Sequence, residues 1–115
     1  MRAFTRIRTE DGQEHELVHG DVIGRLRSAA LHLDDGRVSE AHAMVSLRDA
    51  ELKIIALRGA FAVDGKPVRE ATLRQGLKVQ LARGLFLDVT EVSLPDAVLG
   101  VAAPGLPTQM LPPVA

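Results

Sequence analysis

Turn signals recur about every 8 to 12 residues along most of the chain, and the apolar runs between them are shorter than the 10 to 12 residues or so of an ordinary core-facing helix. The first run, residues 3–8, alternates imperfectly, with Phe4 and Ile7 apolar and Arg6 and Arg8 polar. Asp11-Gly12 follows, a pair that tolerates the positive φ of a hairpin turn. Residues 15–23 are expected to return as the second strand, anchored by Leu17, Val22 and Ile23, with Gly20-Asp21 as a bulge or bend. Further short runs occupy residues 31–33, 43–47, 52–57, 61–63, 79–81 and 85–92. Between them lie Asp34-Asp35-Gly36, Arg48-Asp49-Ala50, Arg58-Gly59, Asp64-Gly65-Lys66-Pro67, Gln75-Gly76 and Arg83-Gly84. Many short strands with regular turns predict an all-β sandwich or barrel. The best helical candidate, residues 39–47, opens on capping-type Ser39, but Val45, Ser46 and the alternation around them suit a strand equally well.

A chain of 115 residues accommodates one domain. It contains no Cys, which excludes disulfides, thiolate nucleophiles and cysteine-bearing zinc sites. Fourteen basic residues against fifteen acidic ones give a net charge of -1, so the long-range field that gathers nucleic acid or anionic lipid is missing. Aromatic residues make up 3%, with no Trp or Tyr, and the stacking platforms of single-strand readers are absent with them. Neither nucleic acid nor a membrane is an expected partner. The start, MRAFTRIRTEDG, has basic residues with no apolar run behind them, and no stretch approaches the roughly 18 apolar residues of a span. A cytoplasmic location is expected on that basis.

After Val92 the composition changes. Residues 93–115 hold one charged residue, Asp96, and five of the six prolines. Proline fixes φ and lacks a donor, so this segment is expected to be an irregular apolar tail or linker, outside the sandwich of residues 1–92. Its apolar residues, Val98, Leu99, Val101, Met110 and Leu111 among them, suggest docking on the sandwich or self-association with a second copy.

His15-Glu16-Leu17-Val18-His19 matches H-E-x-x-H. On a helix that spacing puts both imidazoles on one face to hold zinc, with Glu as general base, the pattern of a small zinc hydrolase. Asp11-Gly12 before it and Gly20-Asp21 after it leave less than two turns for a helix. On a strand, residues four apart lie about 13 Å from each other, too far to share a metal. The glycine signatures G-x-x-x-x-G-K-[ST], G-x-G-x-x-G and G-x-S-x-G do not occur, so no nucleotide cofactor and no nucleophile elbow is expected.

Four segments then occur in order: Gly24-Arg25; Val38-Ser39-Glu40-Ala41-His42-Ala43; Val63-Asp64-Gly65-Lys66-Pro67-Val68; and Leu73-x-x-Gly76-x-x-Val79-x-Leu81. Together they resemble a forkhead-associated (FHA) domain, whose signature is G-R, S-R-x-H-A, N-G-T-x-V-N-G and L-x-x-G-D-x-I. The resemblance runs from about residue 21 to residue 89. It implies a β-sandwich of about eleven short strands, without enzymatic activity or cofactor, whose loops at one end bind phosphothreonine peptides. A phosphate with close to two negative charges and three acceptor oxygens requires a positioned guanidinium and hydroxyl or backbone donors.

By position, the resemblance assigns the guanidinium to Arg25 and the hydroxyl to Ser39, with Glu40, Arg58, Gly59 and Asp64 in the same phosphopeptide-binding loops. His42 braces the loops by hydrogen bonds, together with Gly24 and Gly65. Two departures from the signature bear on the ligand. Glu40 stands where the family has a basic residue, and its carboxylate repels a phosphate. The chain has no Asn, so the side-chain amide that holds the peptide backbone is missing. Arg27, Arg37 and Arg58 are candidates to compensate, because a long guanidinium arm can reach in from a neighbouring loop. A protein or peptide partner read by phosphothreonine is therefore expected. The alternative is a sandwich that assembles independently of phosphate.

Overall fold

In the computed structural model, which describes residues 2–95, the chain forms eleven strands and no helix among those residues. They are β1 (Phe4–Arg8), β2 (Glu14–Leu17), β3 (Val22–Gly24), β4 (Leu31–His32), β5 (Ala43–Arg48), β6 (Glu51–Ala56), β7 (Phe61–Val63), β8 (Lys66–Val68), β9 (Glu70–Thr72), β10 (Lys78–Ala82) and β11 (Leu85–Ser93). Two sheets pack face to face. One has the order β2-β1-β11-β10-β7-β8, the other β4-β3-β5-β6-β9. All recorded pairings are antiparallel except β3 with β4. The sandwich expected from the turn spacing is the observed fold.

Alternation explains which faces meet. In β6, Leu52, Ile54 and Ala56 point inward while Glu51, Lys53 and Ile55 point out. Ile7, Leu17, Ile23, Leu31, Val45, Val79, Leu87 and Val89 complete a core with essentially no solvent contact. Thr5 also points inward, and its hydroxyl donates to the Glu91 carbonyl at 2.8 Å, beside the irregularity where the β1–β11 register shifts. A buried hydroxyl is thus satisfied where the ladder breaks.

Three readings of the sequence change. Residues 15–23 are not one return strand, because β2 and β3 belong to different sheets. Gly20, at φ 93°, lets the chain cross between them; its N–H bonds Val45, and Asp21 accepts from the Val18 N–H. The piece read as a single turn at residues 64–67 contains the start of β8, and β9 was not anticipated. Both are short strands that alternate poorly, with Pro67 on an edge where its missing donor does no harm. The segment 39–47 yields β5, and the helical alternative is excluded.

Register decides which connections share an end. Pairing Ile23 with Ala43 and Ala43 with Ala56 sets the end of β3, the start of β5 and the end of β6 side by side. Pairing Gln80 with Ala62 does the same for the end of β10 and the start of β7. The β3–β4, β4–β5, β6–β7 and β10–β11 connections therefore gather at one end of the sandwich. The β5–β6 and β7–β8 turns lie at the other. β11 ends at Ser93, Leu94 packs against the core and Pro95 is buried. The rest of the segment expected to dock or self-associate lies outside the described residues.

Candidate functional site

At the loop end, hydrogen bonding continues past the strands. The Arg25 N–H donates to the Ser39 carbonyl at 3.0 Å and the Leu26 N–H to the Glu40 carbonyl at 3.2 Å. On the other side of the same segment, the Arg58 N–H donates to Ala41 at 3.0 Å and the Leu57 N–H to His42 at 3.0 Å. Ser39 to His42 thus form the middle line of a three-line ladder, flanked by the β3–β4 loop and the β6–β7 loop.

His42 holds this ladder to the second sheet. It is 2% exposed. Its Nδ1 accepts from the Ser39 N–H at 3.0 Å, which leaves the proton on Nε2, and Nε2 donates to the Ala60 carbonyl at 2.7 Å. One ring therefore joins the β4–β5 and β6–β7 loops, and with both nitrogens engaged it is a brace, not a ligand group. Gly59 lies against the ring: a Cβ there would fall 2.2 Å from Nδ1. Gly24 is equally confined, with a Cβ meeting the Glu40 carbonyl oxygen at 2.1 Å. Space, not an unusual bend, requires glycine at both positions.

Arg25 is exposed, and its Nε donates to the Val38 carbonyl at 3.0 Å. That single bond fixes the guanidinium plane while its terminal nitrogens have no partner among the described residues. Next to it the half-buried Ser39 has its backbone fully used and its hydroxyl without a partner among the described residues. Arg27 and Arg58, both exposed on the flanking loops, pair with no carboxylate among the described residues, and neither does Arg25. Glu40 is exposed and does not close onto Arg25, so no carboxylate among the described residues fills the site.

Other candidates lie elsewhere or are committed. Arg37 grips Asp35 through Nε at 3.1 Å and Nη2 at 2.8 Å, and its Nη1 donates to the Arg83 carbonyl. Hydrogen bonds from the Arg37 side chain and then its backbone N–H bring the Asp35 carboxyl down to about 2. Arg37 is a strut between the β4–β5 and β10–β11 connections, not a free cation. Asp64 and Gly65 do not join the loop cluster at all. With φ of 53° and 77° they form the tight turn between β7 and β8, roughly 13 Å along the strand from Ala60.

The H-E-x-x-H segment also loses its premise. Glu14–Leu17 is a strand, His15 pairs with Ile7 in register, Glu16 holds Arg2 at 2.7 Å, and the His19 Nδ1 accepts from the Leu47 N–H at 2.9 Å. Sequence reasoning missed Leu26 and Leu57, exposed apolar residues beside the cations, and the open concavity of about 270 Å³ that adjoins Ala60 and is lined by Phe61, Ala62, Pro67, Leu81 and Arg83. Small side chains from separate strands create that hollow, and no local motif marks it.

Comparison with solved structures finds the same architecture repeatedly. An FHA domain from a structural and functional analysis of phosphothreonine-dependent FHA domain interactions superposes with a TM-score of 0.69, at 24% identity over 79% of this chain and 99% of that one. The FhaA FHA domain, in complex with the intracellular domain of Rv3910, gives 0.65 at 24% identity over 74% of this chain and 98% of that one. Mycobacterium tuberculosis EmbR, in complex with a low-affinity phosphopeptide, gives 0.66 at 21% identity, covering 76% of this chain and 24% of that longer one. The comparison with curated protein sequences returns no match. The FHA domain family model matches residues 22–82, more than half of the chain and the whole span from β3 through β10. With the two-sheet topology and the His42-braced loops at one end, that match makes the chain a member of the FHA domain family, a family of phosphopeptide-binding modules rather than enzymes.

Proposed function

We propose that the chain is a non-enzymatic interaction module that reads a phosphothreonine in a partner protein, with Arg25 and Ser39 as the phosphate-contacting residues and Arg58 and Arg27 as supplementary cations. The observation that carries this reading is the Arg25 guanidinium. It is held by Nε on the Val38 carbonyl, and it stands on the same ladder as the Ser39 hydroxyl; among the described residues neither its terminal nitrogens nor that hydroxyl has a partner. A planar fork already fixed by one bond loses little freedom on gripping a phosphate. The relatives add support, since phosphothreonine dependence and a bound phosphopeptide are stated for two of them.

A second reading, assembly independent of phosphate, is favoured by Glu40 alone, because an exposed carboxylate beside Ser39 opposes the ligand's charge. Titration with a phosphothreonine peptide library beside its dephosphorylated twin separates the two. The phosphate reading expects binding that requires the phosphate and falls by about tenfold or more in Arg25→Ala, the scale of a lost hydrogen bond to a charged group. Equal binding of both libraries, unmoved by Arg25→Ala, would establish the second.

A further inference from the structure

Glu40 is an acidic side chain at the loop end that phosphate recognition leaves unexplained. It lies on the middle line of the ladder, directly after Ser39, and it pairs with no cation among the described residues although Arg25, Arg27 and Arg58 stand on the flanking loops. Arg25 is turned toward the Val38 carbonyl instead. A phosphate docked on Arg25 and Ser39 therefore brings close to two negative charges up to an uncompensated carboxylate. With Arg25, Arg27 and Arg58 drawn to the phosphate, a cation on the ligand is what remains to face Glu40.

The surroundings of Glu40 narrow the chemistry further. Its carbonyl accepts from the Leu26 N–H, and on the opposite side Leu57 and Arg58 bond to His42 and Ala41. Only three large apolar side chains are exposed among the described residues, and two of them are Leu26 at 42% and Leu57 at 37%. An acidic residue on the middle line, with exposed apolar residues on the two lines that flank it, complements a side chain with a methylene stem and a cationic tip, which is Lys or Arg.

Resting on the phosphothreonine reading above, we propose that Glu40 is a specificity-determining residue that selects partner segments carrying a Lys or Arg close to the phosphothreonine. In the signature this chain resembles, the basic residue follows Ser in the domain itself. Here the sign is inverted, and the positive charge is moved to the ligand. Leu26 and Leu57 supply the surface on which the stem of that residue lies.

The test is a panel of peptides with one phosphothreonine in an alanine background, each beside its unphosphorylated twin, with Lys, Ala or Glu placed singly at each of the three positions before and after it. Affinities are measured for the wild-type chain, Glu40→Gln and Glu40→Lys, each checked for an unchanged melting transition. The proposal expects Lys at one position to bind about three- to fivefold tighter than Ala, the scale of an exposed ion pair. It expects Glu there to bind more weakly, the preference to vanish in Glu40→Gln, and to invert in Glu40→Lys. Equal affinities for Lys, Ala and Glu peptides, or a Lys preference that survives Glu40→Gln, would overturn it while leaving the phosphate reading intact. Binding that ignores the phosphate in every peptide would overturn the phosphate reading and this proposal with it.

Discussion

Two glycines and one histidine determine the shape of the loop end. His42 uses both ring nitrogens, one accepting and one donating, and such a ring tolerates no substitute that supplies only one function. His42→Ala removes the acceptor of the half-buried Ser39 N–H and the donor to the Ala60 carbonyl, about 1 kcal/mol each, and empties the space of a buried ring, on the order of 1–2 kcal/mol more. Denaturant unfolding should show a loss of about 2–4 kcal/mol, and phosphopeptide binding should weaken with it. Gly59→Ala drives a methyl group into the same ring from a distance of 2.2 Å. The ring is held on two sides and cannot retreat, so a loss of about 2 kcal/mol or more is expected in the same measurement. A Gly59→Ala chain as stable as the wild type would show that the brace yields. Arg37 shows how a plausible motif residue becomes a strut: Asp35, two residues away, takes its Nε and Nη2, and the Arg83 carbonyl takes its Nη1.

Among the elements, the turns carry the local information and the strands depend on their neighbours. Asp64-Gly65 adopts the two positive φ values that a two-residue hairpin needs, and this pair is marked in the sequence. The β5–β6 turn makes the same demand of Asp49 and Ala50, at φ 51° and 63°. Alanine there sits in the left-handed region at a cost of about 1–2 kcal/mol, part of which glycine returns as unfolded-state entropy. Ala50→Gly should therefore stabilise the chain by about 0.5–1 kcal/mol, read as a raised denaturant midpoint with an unchanged slope. A lowered midpoint would mean that the turn is not strained. β8 and β9 lie at the other extreme. Lys66–Val68 and Glu70–Thr72 are too short to mark a strand by alternation, and each pairs along the edge of β7 or β6.

At the scale of the whole molecule, the net charge of -1 and the surface ion pairs leave the proposed phosphate site with local cations and no steering field. Raising salt from about 50 to 500 mM should then change the association rate with a phosphopeptide by less than about threefold, with most of the weakening in the dissociation rate. A steep fall in association rate, measured by stopped flow, would show a field that the charge count hides. The two sheets, the core of alternating Ile, Leu and Val, and most turns were legible in the sequence, because a period of two and glycine-bearing turns are properties of neighbouring residues. So was the placement of Gly24, Arg25, Ser39 and His42 in neighbouring loops, because they lie in short motifs whose order survives in the chain. The sequence could not say that Gly20 crosses between sheets, that Asp64 and Gly65 point away from the site, that Arg37 reaches across to the Arg83 carbonyl, or that Leu26 and Leu57 lie on the two lines flanking the segment of Glu40, which pairs with no cation among the described residues. Those facts follow from strand register and from which loops meet at one end. Register is set by packing between residues tens of positions apart, so only the tertiary structure decided them.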